Sequence, residues 1–231
     1  MKKTKYECDV NSCFMCQTCL KEWHPAIAAN KRNFKVKKGE VIFNEGDPVK
    51  GIYFVYEGTF KVHKRWGPEK ELIIRFASKG SLFGHRGLGS NNIYPISATA
   101  LSDGIVCYID LDFFETTLKV NAAFTYTLMM FFASELQESE KKMRNMAHMP
   151  VKGRVAQALI TLQDQFGTKK EGAIGIILSR QDLASFAGAT YETVFRVIND
   201  LIKEGIVSIK GKEISIINHT KLHLLTQDTN L

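Results

Sequence analysis

No glycine and no proline occurs from Leu111 to Met149, and an uninterrupted run of that length admits little but helix. The run divides the chain. Before it, the β-branched and aromatic runs Val41-Ile42-Phe43, Ile52–Tyr56, Phe60–His63 and Leu72–Phe76 are cut by the turns Lys38-Gly39, Glu45-Gly46-Asp47, Glu57-Gly58 and Lys79-Gly80. Turn signals at this spacing predict an antiparallel roll or barrel. After it, Pro150 opens a region punctuated by Ser179, Thr190 and Gly205. The expected organisation is a Cys-rich segment over 1–33, a β-domain over 34–110, a long helix over 111–149 and a C-terminal domain over 150–231. The fold class expected is α+β.

Within the glycine-free run, Met129, Phe132, Leu136, Ser139, Met143 and Met146 fall at alternating spacings of three and four. Such a seam buries itself against a second helix. One reading packs the helix on its own domain. The other makes it a dimerisation helix, which is favoured because Phe131 and Leu128 lie off the seam and are free to dock on the roll. Ser139 interrupts the apolar seam.

Hydrophobic residues at 45% and charged residues at 24% are ordinary globular values. No apolar run approaches the roughly 20 residues of a membrane span, and no apolar core follows the basic start Met1-Lys2-Lys3, so neither membrane nor signal peptide is expected. A cytoplasmic location follows. The net charge of +7 suits a polyanionic partner. Yet from Pro150 onward ten Lys or Arg face eight Asp or Glu, leaving only +2 there, so any nucleic-acid argument rests on motif rather than charge.

The motif is present. Ser179-Arg180-Gln181-Asp182 resembles a capping box, and the short helix it opens stops at Gly188. Thr190 caps a second helix running to about Glu204. Two helices joined by a tight glycine turn form a helix-turn-helix. Val194, Val197, Ile198, Leu201 and Ile202 face inward, leaving Tyr191, Glu192, Phe195, Arg196 and Asn199 outward. The start of a recognition helix meets base edges in the major groove. There Arg196 suits guanine O6 and N7, Glu192 suits cytosine N4, and Phe195 suits a thymine methyl. Arg180, with Gln181 and the backbone N–H groups beside it, suits phosphate. Residues 206–217 read as a hairpin, hence a wing. The competing reading pairs Glu192 with Arg196 on a helix that touches no DNA.

Four of the five cysteines, Cys8, Cys13, Cys16 and Cys19, crowd the N-terminus, and Cys107 stands alone. Crowding of this kind in a reducing compartment points to metal before disulfides. Cys13-x2-Cys16-x2-Cys19 equals the first three positions of the bacterial ferredoxin run, whose thiolates hold a 4Fe-4S cluster. Structural zinc and metal-free thiol switching remain open; His24 and His85 could serve as ligands, the competing reading being ordinary surface or satisfied histidines.

Ser179–Ala184, Gly188 and Glu192-Thr193-Val194-Phe195-Arg196, with the turns Lys38-Gly39-Glu40, Glu45-Gly46-Asp47 and Glu57-Gly58, resemble the family of the cAMP receptor protein and the fumarate-nitrate reduction regulator (CRP/FNR) over about residues 34–217. The resemblance implies a cyclic-nucleotide-binding-type β-roll and a winged helix-turn-helix. It also implies a homodimer on a two-fold symmetric duplex DNA site, with Glu192 and Arg196 reading bases and RNA polymerase as a further partner. Phe195 stands where the family carries a small residue.

The resemblance also bears on the signal. His85 stands where the nucleotide-binding branch carries Glu, and Ile96 where it carries the phosphate-binding Arg, so no cyclic nucleotide is expected. Arg86 is the neighbouring cation. Ile105–Ile109 resembles the strand that bears the distant cysteine of the FNR branch. The implied cluster ligands are therefore Cys13, Cys16, Cys19 and Cys107, with Cys8 as alternative, although the gap before Cys19 is shorter than in FNR itself. A regulator with a small ligand or haem in the roll and zinc on the cysteines is the alternative. No paired acid–base constellation, phosphate loop or nucleophile motif points to an enzyme.

Overall fold

The computed structural model describes residues 1–7, 10–67 and 70–227; Cys8 lies outside them. The chain forms two units, Met1–Leu136 and Gln137–Leu231.

The first unit opens with β1 (Lys2–Thr4), α1 (Phe14–Thr18), a 3-10 turn at Lys21–Trp23 and α2 (His24–Asn30). Then come β2 (Arg32–Val36), β3 (Val41–Phe43), β4 (Gly51–Glu57), β5 (Phe60–Trp66), β6 (Lys70–Ala77), β7 (Leu82–Phe83), β8 (Ser97–Ala100) and β9 (Gly104–Asp110). They pair antiparallel in two sheets, ordered β1-β2-β9-β4-β7 and β3-β8-β5-β6. This is the antiparallel roll that the glycine punctuation predicts. Its interior is aromatic: Phe43 stacks on Tyr94 at 3.8 Å between ring centroids and Tyr53 on Phe83 at 5.4 Å, with Val62, Ile96 and Val106 buried among them. Gly80 shows why one turn needs glycine: its φ is +86°, and a Cβ there would lie 2.5 Å from the Ser12 carbonyl oxygen.

The glycine-free run is helical but not one helix. α3 (Leu111–Val120) ends at Asn121, whose φ of −118° and ψ of 81° are not helical, and α4 (Ala122–His148) begins beyond it. Asn121 is buried. Its Oδ1 accepts from the Leu20 backbone N–H at 2.9 Å and its amide donates to the Thr117 carbonyl at 3.1 Å. A polar side chain satisfied in this way competes with the helical ladder, and the helix stops. The single helix expected over 111–149 is corrected accordingly.

Along α4, Phe124 and Leu128 are buried in the roll-side core and Phe131 packs against it, as the off-seam positions predict. Of the seam, Met129, Leu136 and Met143 are 55%, 60% and 63% exposed, Ser139 and Met146 are half-buried, and Phe132 leans partly on the unit's own core.

The second unit contains α5 (Val151–Phe166), α6 (Arg180–Ala187), α7 (Tyr191–Lys203), the hairpin β10 (Val207–Lys210) and β11 (Glu213–Ile216), and α8 (His219–Leu224). Leu159, Leu183, Val194, Ile198 and Leu201 form its interior. No helix among the described residues is long and apolar enough to cross a membrane.

Candidate functional site

The helix-turn-helix is built by its caps. Ser179 Oγ accepts from the Asp182 N–H at 2.9 Å, and Gly188 ends α6 in the left-handed region at φ 65°, where a side chain would be strained. Thr190 Oγ1 then accepts from the Thr193 N–H at 3.3 Å to open α7. The Asp182 carboxylate accepts from the Ser179 hydroxyl at 2.5 Å.

Val194, Ile198 and Leu201 anchor α7, whereas Ile202, expected inward, is 39% exposed. Tyr191, Glu192, Phe195 and Arg196 are exposed on the first two turns, with Gln181 exposed and Arg180 half-buried on α6. Among the described residues this unit has the ion pairs Lys152–Glu204, Lys169–Glu213 and Lys210–Glu171, and Glu192 and Arg196 take part in none of these. That removes the support for the competing reading, in which the two residues satisfy each other. The free first-turn N–H groups of α7 and its positive dipole end favour a polyanion. The wing turns at Gly211 with φ 63° and exposes Lys210 and Lys212 on either side.

The cysteines lie in the first unit. Cys13 caps α1, and Cys16 and Cys19 are buried on and just beyond it. Cys107 is half-buried on β9, opposite Phe54 of β4 and Asn33 of β2. All four belong to one apolar cluster with Met15, Ile27, Ile52, Leu82 and Ile109. Burial, and then Cys13 nearby, pushes the Cys19 thiol up to about 12, the behaviour of a sulfur that ionises only beside a cation. His24 Nε2 lies 3.0 Å from the Cys16 carbonyl oxygen, so that histidine is satisfied by backbone. Among the described residues no three His, Cys, Asp or Glu side chains are grouped to hold a metal ion. The thiols are gathered, not closed into a cage. Soft sulfur donors in an apolar setting nevertheless suit a sulfur-ligated metal group.

A second constellation went unnoticed in the sequence. Glu135 of α4 accepts hydrogen bonds from Arg86 Nε at 2.9 Å and His85 Nε2 at 3.0 Å, and its other carboxylate oxygen forms an ion pair with Arg75 Nε at 2.7 Å. Burial favours the neutral imidazole of His85, so Nε2 carries the proton it donates. Burial alone would raise the Glu135 carboxyl, but the His85 hydrogen bond and the charges of Arg75 and Arg86 outweigh it and hold it at about 2. The signal in the sequence was position: Leu128, Phe131 and Glu135 share the roll-facing side of α4. Phe131 links the two constellations, its ring 5.4 Å from Phe14 of α1 and 5.2 Å from His85.

Comparison with known proteins agrees with this architecture. The family model of the cyclic nucleotide-binding domain matches residues 33–121, and that of the Crp-like helix-turn-helix domain matches residues 153–225. The chain is 31% identical over 178 residues to the Anaerobic regulatory protein of Bacillus subtilis (strain 168), covering 76% of this chain and 75% of that relative. It is 25% identical over 203 residues to the Electron transport regulator A of Shewanella oneidensis, covering 87% and 81% respectively. Among solved structures, FixK2 from Bradyrhizobium japonicum is similar with a TM-score of 0.76 at 26% identity, over 85% of this chain and 98% of that one. With a roll, a helix-turn-helix and a wing in that order, the chain belongs to the CRP/FNR family of DNA-binding transcription regulators and is not an enzyme.

Proposed function

We propose that this chain, as a homodimer, binds a two-fold symmetric duplex site and adjusts that binding through a 4Fe-4S cluster held by Cys13, Cys16, Cys19 and Cys107. Oxygen, redox state or nitric oxide is then the signal, and RNA polymerase the downstream partner. The observation that carries this reading is the convergence of three N-terminal thiols and one strand thiol, far apart in sequence, on one apolar cluster. The printed name of the Bacillus subtilis relative, an anaerobic regulatory protein, agrees with such a signal. Cys8 is the alternative ligand.

When bound, the cluster supplies an oxidant-sensitive bridge between the N-terminal segment and β9. The protein's own residues carry the position of that segment to α4. Leu20, directly after Cys19, donates to Asn121 at the joint between α3 and α4, and Trp23 donates to Thr117 one turn earlier at 3.1 Å. Phe14 presses on Phe131. A shift of the segment therefore alters how α4 presents Met129, Phe132, Leu136, Ser139, Met143 and Met146 to a second copy. Pairing of two such helices sets two α7 helices about one DNA turn apart. There Arg196 and Glu192 read bases, Tyr191 and Phe195 line the groove, and Arg180 and Gln181 hold phosphate. A bias of a few kcal/mol is enough to switch a marginal equilibrium.

The roll takes no cyclic nucleotide in this reading. Ile96 is buried among aromatic rings, and Arg86, the cation nearest the missing position, is engaged by Glu135.

The test is anaerobic purification with iron, acid-labile sulfide and zinc measured per chain, followed by duplex binding before and after air. About four irons and four sulfides, lost in air together with operator affinity, is the expected result. Zinc would transfer the reading to a structural metal with the signal taken by a small ligand or haem in the roll. No metal would overturn both.

A further inference from the structure

Tyr191 and Phe195 stand one turn apart on α7, their rings near-parallel at 14° and 6.3 Å between centroids. They are 42% and 48% exposed, while Val194 and Ile198 anchor the opposite side. The first two turns of α7 therefore present a two-ring apolar ledge flanked by Glu192 and Arg196. Adjacent aromatic surface left in water is unfavourable, and close to half of each of these residues remains exposed. The ledge is continuous with the face of a DNA-binding helix-turn-helix, which identifies its occupant. In the major groove the one apolar group a base pair presents is the thymine 5-methyl.

We propose that Tyr191 and Phe195 act together as a thymine-methyl reader, determining specificity beside the polar readers Glu192 and Arg196. The ring separation of 6.3 Å approaches two base steps of about 3.4 Å each. Each half-site therefore carries two thymines of one strand within three consecutive base pairs, next to the pair that Arg196 reads. Phe195, packed side-on by Tyr191, makes the closer contact, and Tyr191 fixes its ring and extends the ledge. This inference rests on the reading that α7 enters the major groove.

The experiment uses the full chain and duplexes selected from a random pool. Each thymine of the selected site is replaced singly by deoxyuridine, which removes the methyl and leaves every hydrogen bond. At two thymines per half-site, the loss of one buried methyl should weaken binding about fourfold, with other positions unchanged. Phe195→Ser, at an exposed position, should weaken binding to the selected site about as much as the deoxyuridine replacements do and leave no difference between thymine and uracil, whereas Arg196→Ala should weaken binding but keep the preference for thymine. Tight binding with equal affinity for thymine and uracil everywhere overturns the methyl reader while leaving the DNA reading intact. Failure to bind any duplex overturns the DNA reading, and this inference with it.

Discussion

Removing the Glu135 carboxylate should cost the first unit more stability than any surface substitution. Glu135→Ala leaves the Arg75 guanidinium and the His85 ring, 1% exposed, without the carboxylate that forms an ion pair with Arg75 and accepts from His85 and Arg86. Breaking a buried ion pair from one side costs about 3–5 kcal/mol, because the remaining charge stays buried unpaired. The linkage route gives a similar size. The carboxyl is held at about 2 against an ordinary 4.5, which corresponds to on the order of 3 kcal/mol. Because the folded value is the lower one, this stability is fully present above about pH 4.5 and is lost as pH falls toward 2. His85, kept neutral by burial, acts in the same direction, since the unfolded chain takes up its proton first. Both tryptophans, Trp23 and Trp66, lie in the first unit, so their fluorescence in urea reports it selectively. Glu135→Gln, which keeps one acceptor oxygen, should fall between wild type and alanine. An alanine variant within about 1 kcal/mol of wild type, or a wild-type transition unchanged from pH 6 to pH 3, would refute the reasoning.

Further substitutions test the other elements. Arg196→Ala should weaken operator binding by about 1–3 kcal/mol and relax preference at a single base position, measured by fluorescence anisotropy across a panel of sites. Thr190→Ala removes the α7 cap and should cost about 1 kcal/mol, read from the helical circular dichroism signal on heating. Met143→Lys places a charge on the seam at a residue 63% exposed; sedimentation should show a monomer with an unchanged thermal transition. Gly80→Ala combines a strained φ with the Ser12 carbonyl and should cost about 1–3 kcal/mol, seen in the same tryptophan transition.

Much of this molecule was legible because its signals are local. Each β-run lies between glycines that the chain needs for its turns, and the helix-turn-helix carries its own caps at Ser179 and Thr190. The apolar stripe of α7 was read correctly at Val194, Ile198 and Leu201, while Val197 is only half-buried and Ile202, near the open end of the helix, is exposed. What the sequence concealed depends on partners far along the chain. Asn121 looks like a tolerable helix residue until Leu20, 101 positions away, donates to it. Glu135 resembles any solvated helix carboxylate until β6 and the turn after β7 bring Arg75, His85 and Arg86 to it. The cysteines were intermediate: their spacing marked the three N-terminal thiols, but only the packing of α1 on β4 and β9 brings Cys107 into their cluster.

The joint at Asn121 also sets a rotational phase. Along an unbroken helix each residue turns by about 100°, so the direction in which Leu111 faces would dictate the direction in which Leu136 and Met143 face. A single non-helical residue cancels that inheritance. The azimuth of the seam is then decided at the joint, by the dihedral angles of Asn121 and the amide of Leu20 that holds them. A small twist there, with no sliding and no change in length, swings the distal turns of α4 around their own axis. On the reading that α4 pairs with its own copy, facing is a sharper control than distance.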